Sequence, residues 1–158
     1  MFRPLTRVKQ QLPKEDCIHL LKTQPRGVLS VLGDNGYPYG LPMDHWYSEE
    51  DGCIYFHSGS RGHKIDALRA CPKASFCVMD QGYREAGDWA LNIKSVIVFG
   101  RIEFVEDKDE AIRLTRALSF KYTDDAAYIE EEIRKYSDGL LVFRLVPEHI
   151  TGKITKES

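Results

Sequence analysis

The sequence predicts a mainly β protein with peripheral α-helices, built as a six- to seven-stranded antiparallel sheet curled into a closed or nearly closed barrel. Three observations predict it. Short apolar runs of strand type follow one another with turn residues between them. Helices are too few to lie between nearly all strands, as a doubly wound sheet requires. The 158 residues, 42% hydrophobic and 29% charged, suit one domain over 1–158 with a substantial core.

Residues 1–12 read as a basic, polar arm packed on the surface or on a partner. Pro13 followed by Glu15 and Asp16 starts a helix whose stripe is Cys17, Leu20 and Leu21, ending before Pro25. Gly27–Leu32 is a strand, and Gly33-Asp34-Asn35-Gly36 its turn. Tyr39 to Tyr47 reads as the hairpin partner, with Pro42 indicating an edge, a bulge or a backbone facing something other than a strand. After the turn at 49–52, Cys53–His57 forms the third strand, residues 62–70 a short helix and Ala74–Met79 a fourth strand. Residues 80–93 are a long polar loop, a length often tied to function. Lys94–Val105 is a β-branched strand with a bulge expected at Gly100.

Glu106–Tyr122 and 125–136 are helices, the first starting near Asp107 or Asp109. The second carries Ala126, Ile129, Ile133 and Tyr136 on one face and the pairs Glu130–Arg134 and Glu131–Lys135 on the other. Leu140–Val146 is the last strand, with Ile150–Ile154 continuing it beyond Pro147.

Charge and cysteine usage exclude several classes. A net charge of −2 argues against a nucleic-acid surface spread over the molecule. No apolar run approaches the roughly 20 residues of a membrane span. The start, Met-Phe-Arg-Pro-Leu-Thr-Arg, lacks a signal-peptide core, so a cytoplasmic location is the expectation. The four cysteines form no C-x-x-C pair and read as structural, with no metal site.

The informative stretch is Ile54 to Leu68. A strand alternation ends at His57, Ser58 to Gly62 form a tight turn, and Arg61, His63 and Lys64 cluster where a helix begins. Helix N-termini attract anions through free N–H groups, and a helix optimised for stability alone prefers acids there. The pattern fits a phosphate site, and it equally fits a solvated turn.

Five segments occur in order: Gly36-Tyr-Pro-Tyr-Gly-Leu-Pro-Met43, Ile54-Tyr-Phe-His-Ser58, Gly62-His-Lys-Ile-Asp-Ala-Leu68, Ser75-Phe-Cys-Val78 and Lys94-Ser-Val-Ile-Val-Phe-Gly100. Together they resemble the FMN-binding split-barrel superfamily that includes pyridoxamine 5'-phosphate oxidase. Met1-Phe2-Arg3, Gln11-Leu12-Pro13, Gly62-His63-Lys64 and Glu148-His-Ile-Thr-Gly-Lys153 bring the chain nearer to the 5-nitroimidazole-resistance branch.

The resemblance covers nearly the whole chain and implies a homodimer with FMN at the subunit interface. It places Pro42, Met43, Asp44, His45 and Trp46 along the flavin, where Trp46 stacks or simply fills core. His63 and Lys64 fall on the phosphate pair, with Arg61 a secondary charge, and His57 and Ser58 on the ribityl chain and phosphate. Ser95, with Val96 beside it, comes from the partner subunit to the flavin ring. His57 is the candidate catalytic proton donor, with His63 the alternative.

The tryptophan and arginine–histidine motif of the vitamin B6 oxidases is missing near the C-terminus, so pyridoxamine phosphate oxidation is not expected. The expected activity is FMN-dependent reduction of a small aromatic acceptor such as a 5-nitroimidazole. The alternatives are a flavin carrier for electron transfer and a haem-binding barrel using His45 or His149.

Overall fold

The computed structural model describes residues 1–157. Its elements are α1 (Lys14–Thr23), β1 (Arg26–Leu32), β2 (Pro38–Asp44), β3 (Trp46–Tyr47), β4 (Ile54–Gly59), α2 (His63–Ala70) and β5 (Lys73–Met79). Then follow β6 (Leu91–Val105), α3 (Lys108–Ser119), α4 (Ala126–Tyr136) and β7 (Leu140–Glu157). The seven strands form one antiparallel sheet in the order β2-β1-β5-β6-β7-β4-β3.

The sheet curls on itself around an apolar core. Phe56 of β4 meets Phe76 of β5 edge to face at 5.1 Å, although those strands are not neighbours in the sheet. Leu20 and Leu21 of α1 and Ile65 and Leu68 of α2 complete this core. A second cluster, Cys53, Tyr55 and Val142 against Ala111 and Leu114, seats α3 on the other face of β4 and β7. No helix is long and apolar enough to cross a membrane among the described residues.

The run from Tyr39 to Tyr47 is two strands rather than one. β2 pairs with β1 and β3 pairs with β4, so the two lie at opposite ends of the sheet. The corner between them is His45, which is fully buried. Its N–H is accepted by the Tyr122 hydroxyl at 2.8 Å, and its carbonyl accepts from the Lys121 ammonium at 2.8 Å. Its ring Nε2 donates to the Leu21 carbonyl at 2.7 Å, and Lys121 also caps Gln24 at the end of α1 at 2.8 Å. A buried chain reversal leaves backbone groups outside any ladder, and here side chains from just beyond α3 satisfy them.

Two other expectations change, and the continuation of the last strand holds. The loop after β5 is shorter, because β6 starts at Leu91 and Tyr83 bridges Asn92. Glu130 pairs with Arg116 of α3 in two-point contact, Nη2 to Oε2 at 3.1 Å, instead of with Arg134. The contact to Arg116 engages both carboxylate oxygens, whereas an exposed i, i+4 pair adds little. β7 runs unbroken past Pro147, because the expected irregularity at Gly100 slips the register there and leaves Glu148 as the extra residue. A side chain at Gly100 would meet the Val146 carbonyl at 2.2 Å, so this close approach requires glycine. The arm packs on its own molecule, with the Leu12 N–H bonded to the Gly152 carbonyl at 2.9 Å and Phe2 stacked on His149.

Burial, reinforced by the Lys121 charge, pushes the His45 imidazole down from 6.5 to about 4. Folding therefore opposes its protonation, and its stability contribution is whole above pH 6.5 and lost as pH falls toward 4. The loss should reach ~3 kcal/mol. Urea denaturation across that window should show a shallower pH dependence for His45→Gln than for the wild type. Equal slopes would show that His45 does not act this way.

Candidate functional site

β4 enters the site from the core. Ile54, Tyr55 and Phe56 are all buried because the barrel covers one face of the strand and α3 the other, and His57 is the first exposed side chain. Ser60-Arg61-Gly62 then turns into α2. Gly62 has φ 118, a backbone conformation that only glycine adopts without strain. Nothing lies near its absent Cβ, so the requirement is conformational. No side chain caps the start of α2.

Lys64, in the first turn of α2, is half-buried. Its ammonium lies 3.6 Å from the Met43 sulfur and pairs with no carboxylate among the described residues. Burial holds its pKa below the ordinary lysine value. A desolvated, unpaired cation beside uncapped helix N–H groups is an arrangement that an anion stabilises. Arg61, exposed on the turn just before, likewise forms no ion pair among the described residues.

Met43 brings β2 to this point. That strand pairs only with β1, so its outer edge presents backbone groups outside any ladder, which accommodates Pro42. The Asp44 carboxylate accepts from Arg26 Nε at 2.7 Å across the β1–β2 ladder. Asp44 and Lys64 both act on His57. Although part of the His57 side chain is exposed, the protein packed around it desolvates the imidazole and pushes it below its ordinary pKa; Asp44 opposes that shift and Lys64 adds to it. Met43, Asp44, His57 and Lys64 are thus brought together, with Ser58 next along β4.

The other expected site residues have their own neighbours within this chain. The His63 ring stacks on Tyr39 at 4.3 Å, and its Nε2 lies 3.3 Å from the Asp34 N–H. It therefore fastens α2 to the β1–β2 turn. His45 is the core corner described above, and Trp46 packs against Tyr55 at 5.5 Å. Ser95 is half-buried on the outer face of the sheet, whereas the Val96 side chain is fully inside the core. Ser95 shares that outer face with the exposed Val28 and Ile97, which flank Cys77 across the β1–β5–β6 ladders. His149 is half-buried under Phe2, its Nε2 without a hydrogen-bond partner. No group of three metal-ligating side chains occurs among the described residues, and all four cysteines are free.

A cavity of about 370 Å³ opens beside the end of β4. His57, Ser58 and Gly59 form one wall, and Ser119 of α3 with Ile133 and Tyr136 of α4 the other. In the sequence the apolar face of α4 reads as packing alone. The available signal is the pair of hydroxyl residues Thr115 and Ser119 beside the apolar Ala111, Leu114 and Leu118 of α3.

Comparison with known proteins follows from this geometry. The sequence profile of the family described as pyridoxamine 5'-phosphate oxidase matches residues 13–154. No curated protein matches significantly. The fold is similar to that of a candidate 5-nitroimidazole antibiotic resistance protein from Bacteroides thetaiotaomicron, at TM-score 0.78 and 19% identity over 93% of this chain and 87% of the other. An FAD-binding protein from Mesorhizobium loti aligns with TM-score 0.65 and 24% identity, covering 92% and 97% of the two chains. An FAD- and haem-binding protein from Mycobacterium smegmatis gives 0.74 and 19%, covering 92% and 73%.

The opposed influences on His57 are measurable by NMR titration of its imidazole. The wild-type midpoint should lie below the ordinary histidine value, move up in Lys64→Met and move down in Asp44→Asn. Identical midpoints in all three proteins would separate His57 from both charges.

Proposed function

The chain belongs to the pyridoxamine 5'-phosphate oxidase family, and on that premise we propose that it is a flavin-dependent oxidoreductase passing electrons to a small nitroaromatic acceptor such as a 5-nitroimidazole. The observation that carries this reading is the Lys64 ammonium, half-buried and without a carboxylate, beside the edge strand β2 and the end of β4. A bound flavin supplies the redox chemistry; the protein supplies place, orientation and tuning.

In this reading Lys64 holds the phosphate of the flavin mononucleotide moiety, aided by the uncapped start of α2. His57 and Ser58 face the ribityl chain, and the outer edge of β2 from Pro42 to Asp44 offers backbone groups to the ring. With its pKa lowered, His57 is largely neutral near pH 7 and serves as a hydrogen-bonding group at the cofactor. The likeness to the Bacteroides protein supports the nitroaromatic acceptor, and the Mesorhizobium and Mycobacterium proteins support the flavin.

The acting form in this reading is a homodimer. Val28, Ile97 and Met79 leave an apolar strip on the outer sheet face around Ser95, 44%, 38% and 63% exposed respectively. A second copy covering that strip would bring its Ser95 to the flavin ring. Contiguous exposed apolar surface of this kind marks association sites.

The purified protein should be yellow, with absorption near ~450 nm as for an oxidised flavin. Lys64→Ala should weaken flavin binding by roughly 10- to 100-fold while leaving the fold and assembly intact. Unchanged flavin content would remove Lys64 from the phosphate site. Under anaerobic conditions the reduced protein should be reoxidised by a 5-nitroimidazole faster than in buffer; equal rates would leave a carrier rather than an enzyme. Ile97→Glu should give a folded monomer by light scattering, and a persisting dimer would place the interface elsewhere.

A further inference from the structure

We infer that Lys153 acts across the proposed dimer, standing with Ser95 at the pyrimidine edge of the flavin anchored by the other subunit and raising that cofactor's reduction potential. The inference rests on the flavin and dimer readings above and adds to them a residue that tunes the cofactor.

Register is the first ground. Lys153 of β7 lies opposite Ser95 of β6, and Met79 of β5 lies opposite Ser95 on its other side. Paired residues of antiparallel strands send their side chains to the same face, with Cβ atoms about 5 Å apart. Lys153 therefore shares the outer face with Ser95, Ile97 and Met79, and what Ser95 meets lies within a lysine's reach. The neighbouring Gly152 has the opposite sense. A Cβ there would meet the Cys17 sulfur of α1 at 2.5 Å.

Charge is the second ground. The cations around Lys153 are held by acids: Lys94 by Asp16 at 3.9 Å, Lys156 by Asp88 at 2.8 Å and Arg101 by Glu148 at 2.9 Å. Arg26, two residues from Val28 on β1, is held by Asp44 at 2.7 Å. Lys153 is exposed and has no ion pair among the described residues. Its ammonium is available to a group outside its own chain.

Rigidity is the third. At this point β7 is held from both sides, by β6 on one edge and on the other by the arm, where Gln11 bridges Lys153 and the Leu12 N–H bonds the Gly152 carbonyl at 2.9 Å. A charge carried on a fixed backbone needs little reorganisation to act on a bound group.

The chemistry of the ring sets the direction of the effect. One end of a flavin ring is apolar, whereas the pyrimidine end presents a ring nitrogen and carbonyl oxygens that accept from a hydroxyl and an ammonium. Reduction raises electron density at that edge, and a cation near N1 stabilises the reduced form over the oxidised one. Lys64 and Arg61 lie at the phosphate end in this reading, so a cation at the ring comes from elsewhere.

Potentiometric titration of the flavin-loaded dimer is the test. Lys153→Met should shift the balance of binding toward oxidised flavin by about tenfold, a fall of ~30 mV for a two-electron couple. Lys153→Arg, which keeps the charge, should retain most of the wild-type potential. A mixed dimer of one Lys64→Ala subunit with one Lys153→Met subunit locates the effect. Its one anchored flavin should keep the wild-type potential, because it faces the unaltered Lys153 of the other chain. A lowered potential there would assign Lys153 to its own subunit's flavin, and an unchanged potential in the Lys153→Met homodimer would remove it from the cofactor. Either result overturns the inference and leaves the flavin reading standing. A flavin-loaded monomer would overturn the inference together with the dimer, and a wild type without flavin would overturn all three.

Discussion

The structure depends on one buried chain reversal. At His45 the backbone leaves one end of the sheet and enters the other, and this crossing holds the curled sheet round its core. Such a corner has no strand partner for its N–H and C=O, and leaving them unmet in the interior would cost several kcal/mol. Tyr122 and Lys121 meet them, while the imidazole reaches the last turn of α1. The same three residues therefore fix α1, the start of β3 and the end of α3 together. Burial tells on their ionisation: it lowers Lys121 to about 8 and raises Tyr122 to about 12. β2 reaches Lys64 with its outer edge free because the corner holds its end.

Much of this was legible in the sequence, and the exceptions share a cause. Period-two alternation and turn chemistry located the strands, Pro42 signalled an edge, and Gly100 a register slip. The break at His45 was invisible because the apolar pattern runs through it; its partners lie 76 and 77 residues downstream. Distance along the chain also hid the Arg116–Glu130 pair and the stacking of His63 on Tyr39, where local spacing suggested otherwise. Lys64 and His57 could be singled out because both lie in one strand–turn–helix unit, although Met43 and Asp44 reach them from β2. The cavity could not, because it arises from how two helices rest on that unit, and amphipathic stripes do not say where packing is incomplete.

Several arginines are held by acids, whereas two basic residues at the start of α2 are not. Arg26, Arg101, Arg113 and Arg144 each hold a carboxylate within 3.0 Å. Lys64 and Arg61, neighbours along the chain, hold none among the described residues. A surface ion pair adds little stability, so the contrast matters less for the energy of folding than for what remains available to a ligand. Burial of Lys64 without a carboxylate has a cost that an anion bound there would offset.

The position of β7 in the chain has a consequence for biosynthesis. This final strand lies between β6 and β4, pairing with the first along its length and with the second from Leu140 to Leu145. Until it emerges, β3 and β4 form a lone two-stranded ribbon beside the four-stranded remainder, and isolated ribbons of that kind are barely stable in water. The nascent protein therefore carries an open edge on β6 and an exposed apolar interior until β7 has left the ribosome. Closure is a late, long-range event, of the kind that makes β-rich chains fold slowly and leaves truncated products prone to aggregate.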